Sequence, residues 1–103
     1  MANRHRGEIE AELGGKTYCL CLTLGALAEL EGAYGGEDLL ALAARFEQGR
    51  IAASDAIRIL GAGLRGAGNP VSDEEIAAMT AAGGAAGFLR IVARLLAATF
   101  GAE

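Results

Sequence analysis

The sequence has no tryptophan, one proline and one histidine, and only 5% of its residues are aromatic. It also has no extended run of basic residues, and its longest stretch without a charge, Ile76 to Leu89, is 14 residues long. Such a stretch is too short to cross a bilayer. A chain of net charge −4 without a basic stripe is not expected to bind nucleic acid. Because the N-terminus also has no apolar signal segment, we expect a cytoplasmic protein with no membrane partner.

The chain is rich in hydrophobic residues and in the small residues alanine and glycine. Hydrophobic residues make up 52% of the 103 residues and charged ones 21%, a balance typical of a folded domain rather than of a disordered segment. Alanine occurs 23 times and glycine 16 times, so the core has to be built from leucine, isoleucine and small side chains. The length allows one domain. We expect it to span residues 7–103, after a flexible tail at residues 1–6.

The two cysteines, Cys19 and Cys21, are separated by one residue. On a strand they point to the same face, which is poor geometry for a disulfide between them. A zinc site needs about four nitrogen or sulfur ligands, and only His5 is left to help. The sequence therefore predicts two half-buried thiols and no metal site.

A β-hairpin is predicted at residues 8–23. Polar and apolar residues alternate from Glu8 to Leu13, Gly14-Gly15 follow, and strand character resumes at Lys16. A turn at the two glycines places the apolar residues of both strands on one face. The expected pairs are Leu13 with Lys16, Ala11 with Tyr18, and Ile9 with Leu20. Because an isolated hairpin is marginal in water, helices have to cover its apolar face.

Five short helices are predicted after the hairpin, so the expected fold class is α+β and mostly α. Their expected ranges are 24–34, 37–48, 55–66, 73–82 and 85–100. Thr23 is a suitable cap for the first, in which Leu24, Leu27, Leu30 and Tyr34 are spaced for one buried face. The fourth begins with a capping box, in which Ser72 and Glu75 satisfy each other's backbone amides.

The last helix carries more apolar residues than one buried stripe requires. Either it is the central helix of the fold, or part of its surface is reserved for a partner. On the second interpretation the candidate contacts are Phe88, Arg90, Ile91 and Leu95.

No residue pattern indicates catalysis. Gly61, Gly63 and Gly66 match the dinucleotide-binding spacing, but they fall at the end of a predicted helix instead of between a strand and a helix start. One face of the hairpin carries the carboxylates Glu8, Glu10 and Glu12, and we expect it to be solvated instead of metal-binding. We therefore expect no enzyme, no cofactor and no small-molecule substrate.

Several segments resemble a known family when they are taken in order. They are Leu22 to Glu31 after a hairpin that begins Gly7-Glu8-Ile9, then Asp55 to Gly68, then Val71 to Ile76. This order, over roughly residues 7–80, resembles the small protein of alphaproteobacterial gene transfer agents that is encoded between the major tail protein and the tape measure protein. That family is grouped with phage tail assembly chaperones and has also been labelled a phage tail tube protein.

The resemblance implies a non-enzymatic helper that coats the tape measure protein and assists polymerisation of the tail tube. The tape measure protein and the major tail protein are then the implied partners, and a homo-oligomer is possible. The alternative is a structural tail component that stays in the finished particle. A third alternative is an unrelated helical adaptor whose partner lies outside any tail gene cluster.

Overall fold

The chain folds into an N-terminal two-stranded antiparallel hairpin followed by five helices, so the predicted α+β, mostly helical class is confirmed. The computed structural model describes residues 2–3 and 6–101. The strands are β1 (Glu8–Leu13) and β2 (Lys16–Cys21). The helices are α1 (Leu24–Ala33), α2 (Leu39–Glu47), α3 (Ala53–Gly66), α4 (Asp73–Ala77) and α5 (Gly84–Phe100).

The hairpin has the predicted register, with Leu13 opposite Lys16 and Ile9 opposite Leu20. Gly14 and Gly15 form the turn with φ angles of 59° and 82°, in the left-handed region that glycine adopts without a steric cost. Strand pairing ends at Cys21, two residues before the predicted end, because Thr23 caps the next helix through its hydroxyl. The apolar face is buried, with α5 packed against β1 and α3 against β2.

Helix α3 lies at the centre of the fold. It packs against β2, α1, α4 and α5, and its residues 59–64 are all buried. Glycine makes this packing possible, because a Cβ at Gly66 would lie 2.2 Å from the carbonyl oxygen of Cys21. A Cβ at Gly63 would lie 2.7 Å from Cδ2 of Leu95. These glycines therefore allow close approach between elements, and they lie inside a helix instead of before one. Helix α5 also packs against four elements, namely β1, β2, α2 and α3, so it shares the central position with α3.

Helix α4 is shorter than predicted, ending at Ala77 instead of residue 82. Its capping box is confirmed, since Ser72 Oγ accepts from the Glu75 amide at 3.1 Å and Glu75 Oε1 accepts from the Ser72 amide at 2.9 Å. The chain leaves the helix at Ala78, and the Thr80 carbonyl accepts a hydrogen bond of 2.8 Å from the Gly14 amide. This bond to the hairpin turn holds residues 78–80 out of the helix, so tertiary contact outweighs the helical propensity of the alanines.

The starts of two other helices also differ in detail from the prediction. Helix α2 begins at Leu39 instead of residue 37, because the Asp38 carboxylate caps it by accepting from the Leu40 amide at 3.0 Å. Helix α3 begins at Ala53 instead of residue 55, because the Asp55 carboxylate accepts from the Ala52 amide at 2.8 Å and satisfies the first turn. Leu24 is 84% exposed, contrary to the predicted buried face of α1. The rest of the predicted face is confirmed, since Leu30 is buried and Leu27 and Tyr34 are half-buried against the core. Ala26 is also buried.

All seven elements contribute residues to one hydrophobic core cluster. In residues 2–3 and 6–101, no helix is both long enough and apolar enough to cross a membrane. The predicted flexible tail falls partly on residues 1, 4 and 5, which lie outside the described residues. Within the described part, the Asn3 carbonyl accepts from the amides of Arg6 and Glu8 at 2.9 and 3.0 Å.

Candidate functional site

An apolar groove opens on the surface between α3, α4 and α5. Its first lobe has a volume of about 320 Å³. Every residue that lines it is apolar: Ile51, Ala53, Ala56, Ile57, Leu60, Ile76, Ala77, Met79, Ala85, Phe88 and Leu89. A concave apolar surface of this volume is within the range of ligand-binding sites in proteins.

A second lobe of about 200 Å³ continues the groove along α5 toward the end of α2. The two lobes share Ile51 and Leu89, which therefore form the waist of the groove. Ile51 stands on one wall, in the segment between α2 and α3, and Leu89 stands on the other, in α5. Glu47 is the one charged residue among those that line the second lobe.

A ridge on α5 follows both lobes. Ala85, Leu89, Ala93 and Ala97 line the groove, are spaced four residues apart, and are all exposed. At 1.5 Å per residue this ridge is about 18 Å long. Residues with this spacing form one of the ridges that a second helix fits against when two helices pack. Small side chains at three of the four positions allow a close approach.

The structure places the four predicted contact residues in three different environments. Phe88 is half-buried and lines the first lobe. Arg90 is exposed on the side of α5 next to the ridge. Ile91 is 8% exposed and Leu95 is fully buried against Gly63 of α3, so both belong to the core. The four residues therefore do not form one surface.

Residues that the sequence did not single out form most of the groove. Leu89 is 41% exposed and is one of only three large hydrophobic side chains that the described residues leave exposed. Its signal was present, because the apolar arc of α5 is too wide for one stripe and adjacent residues such as Phe88 and Leu89 cannot point the same way. Ile51 carries no such signal, since it lies in the segment between α2 and α3 and only the tertiary structure brings it to α5.

Two arginines are sequence neighbours of the waist residues, and neither of them lines either lobe. Arg50 precedes Ile51 on one wall, Arg90 follows Leu89 on the other, and both are exposed. In the part of the chain that the structure describes, neither guanidinium has an ion-pair or hydrogen-bond partner, whereas Arg45 pairs with Glu37 and Arg65 with Glu29 and Asp73. Arg90 lies about 100° around α5 from Leu89, and its guanidinium lies beside Gly83 at the start of the helix, so it does not border the waist.

The outer edges of the hairpin are partly occupied by side chains. Arg94 donates to the Glu10 carbonyl on β1 at 2.8 Å, and Asn69 donates to the Cys19 carbonyl on β2 at 2.9 Å. Glu10 and Cys19 lie directly opposite each other, so both edges are engaged at the middle of the hairpin. These contacts protect edges that would otherwise offer free carbonyls to another strand.

The thiols on the outer face of the hairpin are half-buried, as predicted. Burial, followed in size by the charge of Glu8, raises the pKa of both Cys19 and Cys21. A raised pKa disfavours the thiolate, which is the nucleophilic form. In residues 2–3 and 6–101, no three His, Cys, Asp or Glu side chains are grouped to hold a metal ion. The groove is consequently the surface on which binding is best supported, and its chemistry is contact between apolar groups.

Comparison with known proteins identifies a family. The family model described as "Phage tail tube protein, GTA-gp10" matches residues 6–102, and its short name includes the abbreviation for tail assembly chaperone. No curated protein and no solved structure matches the chain. The matched region includes the hairpin, all five helices and every residue that lines the groove. The chain belongs to the GTA-gp10 family of phage tail proteins.

Proposed function

We propose that the protein is a non-enzymatic tail assembly chaperone of a phage-like gene transfer agent. It binds the tape measure protein in the cytoplasm while the major tail protein polymerises around it, and it is absent from the finished particle. Membership of a phage tail family supports a role in tail assembly. The observation that carries the chaperone role is the two-lobed groove, which leaves an apolar surface on a small protein open to a partner.

The properties of the groove suit temporary binding. Small residues on the α5 ridge contribute little area each, so the affinity they supply is moderate, and Met79 can adapt to side chains of different shape. The net charge of −4 helps to keep a complex with an apolar client dispersed. A chaperone that is later displaced by tube subunits needs this combination of solubility and exchangeable contact.

A structural role is the second candidate, and the description of the matched family as a tail tube protein favours it. On this hypothesis the chain stays in the particle. A tube held together by strand addition would require the contacts of Arg94 and Asn69 on the hairpin edges to be released. The engaged edges therefore support the chaperone hypothesis over this one.

Co-expression with the neighbouring tape measure protein tests both candidates. The complex is isolated by size-exclusion chromatography, and finished particles are analysed by quantitative mass spectrometry. Co-elution in several copies per client, with the chain missing from particles, is the result expected of a chaperone. Stoichiometric presence in particles without co-elution would instead establish a structural component.

A further inference from the structure

We draw no further inference here: the strongest candidate, the two-lobed apolar groove between α3, α4 and α5, is an unpartnered apolar face, and nothing in the structure shows what covers it.

Discussion

Gly66 and Gly32 show how the same residue type has opposite effects at two positions. Both lie in helices without a left-handed φ, so alanine is compatible with the backbone at each. A Cβ at Gly66 would be 2.2 Å from the Cys21 carbonyl oxygen, whereas a Cβ at Gly32 would meet nothing within 4 Å. Position 66 therefore fixes the approach of α3 to the hairpin, and position 32 does not restrict any packing.

The paired substitutions test this difference. We expect Gly66→Ala to lower the free energy of unfolding by about 1–3 kcal/mol through overpacking. Gly32→Ala should raise it by about 0.5–1 kcal/mol, because alanine is the better helix former. Urea denaturation of both variants measures the two effects. Stabilisation by Gly66→Ala would mean that α3 moves away from β2 without cost.

Tyr34 links the end of α1 to the start of α3, because its hydroxyl donates to the Asp55 carboxylate. Burial, reinforced by this hydrogen bond, raises the pKa of Tyr34 from 10.0 to about 12. The folded state therefore keeps the phenol proton at a pH where the unfolded state loses it. The corresponding stability is complete below pH 10 and is lost as the pH rises toward 12.

Alkaline denaturation of Tyr34→Phe checks this linkage. The wild-type protein should lose stability as the pH rises from 10 to about 12, and the variant should lose less over the same interval. Tyr18→Phe in the hairpin is the control, and it should behave as the wild type. Identical alkaline profiles for Tyr34→Phe and the wild type would show that other groups control the transition.

At the scale of elements, α4 depends on Ser72, the capping residue that precedes it. The helix has only five residues, yet it places Ile76 in the core at 2% exposure. The capping box supplies the partners that so short a helix cannot supply from its own backbone. The cap is therefore the condition under which Ile76 can form a wall of the groove.

Ser72→Ala is expected to destabilise the protein by about 1 kcal/mol through loss of this cap. Ser54→Ala in the first turn of α3 is the control, because the Ser54 hydroxyl forms no hydrogen bond in the described part of the chain, and its effect should be near zero. Thermal unfolding followed by circular dichroism measures both. If Ser72→Ala were as stable as the wild type, the packing of α4 and not its cap would determine where the helix begins.

The hairpin and the helix order could be predicted because they depend on local signals. Alternation, a glycine pair and caps at Thr23 and Ser72 are all visible in the sequence. The end of α4 could not be predicted, because it depends on the hydrogen bond from Gly14 to Thr80, which joins residues far apart in the chain. The same limit applies to the groove: the excess apolar surface of α5 was evident, but the partners of Leu89 come from Ile51 and Met79 in other segments.

At the scale of the whole molecule, Arg65 holds three parts of the fold together. Its guanidinium pairs with Glu29 of α1 and with Asp73 of α4, and it donates to the Val71 carbonyl at 2.7 Å. The hydrogen bond to Glu29 is the main cause that raises the pKa of Arg65. These contacts fix α4 and the preceding loop against α3, and α4 contributes Ile76 and Ala77 to the lining of the first lobe.

Arg65→Met should lower the free energy of unfolding by about 1 kcal/mol, a modest value because the paired side chains are partly exposed to solvent. Arg50→Met removes an arginine without a partner in the described residues and should leave stability unchanged. Chemical denaturation at low and high salt distinguishes them, since only the loss caused by Arg65→Met should shrink as salt screens the pairs. An equal effect in both variants would contradict the bridging role of Arg65.

Because α4 is short, its amide protons are expected to exchange with solvent faster than those in the centre of the fold. Amide protons in residues 59–64 are buried in the centre of the fold, so their exchange with solvent requires global unfolding. The amides of Ile76, Ala78 and Met79 donate to carbonyls only three or four residues earlier in the chain, so a local opening that is smaller than global unfolding exposes them. The side of the groove formed by α4 therefore opens locally, whereas the side formed by α3 stays closed until the protein unfolds. A bound segment can be released through this fluctuation, on the timescale of local opening and without unfolding the protein that carried it.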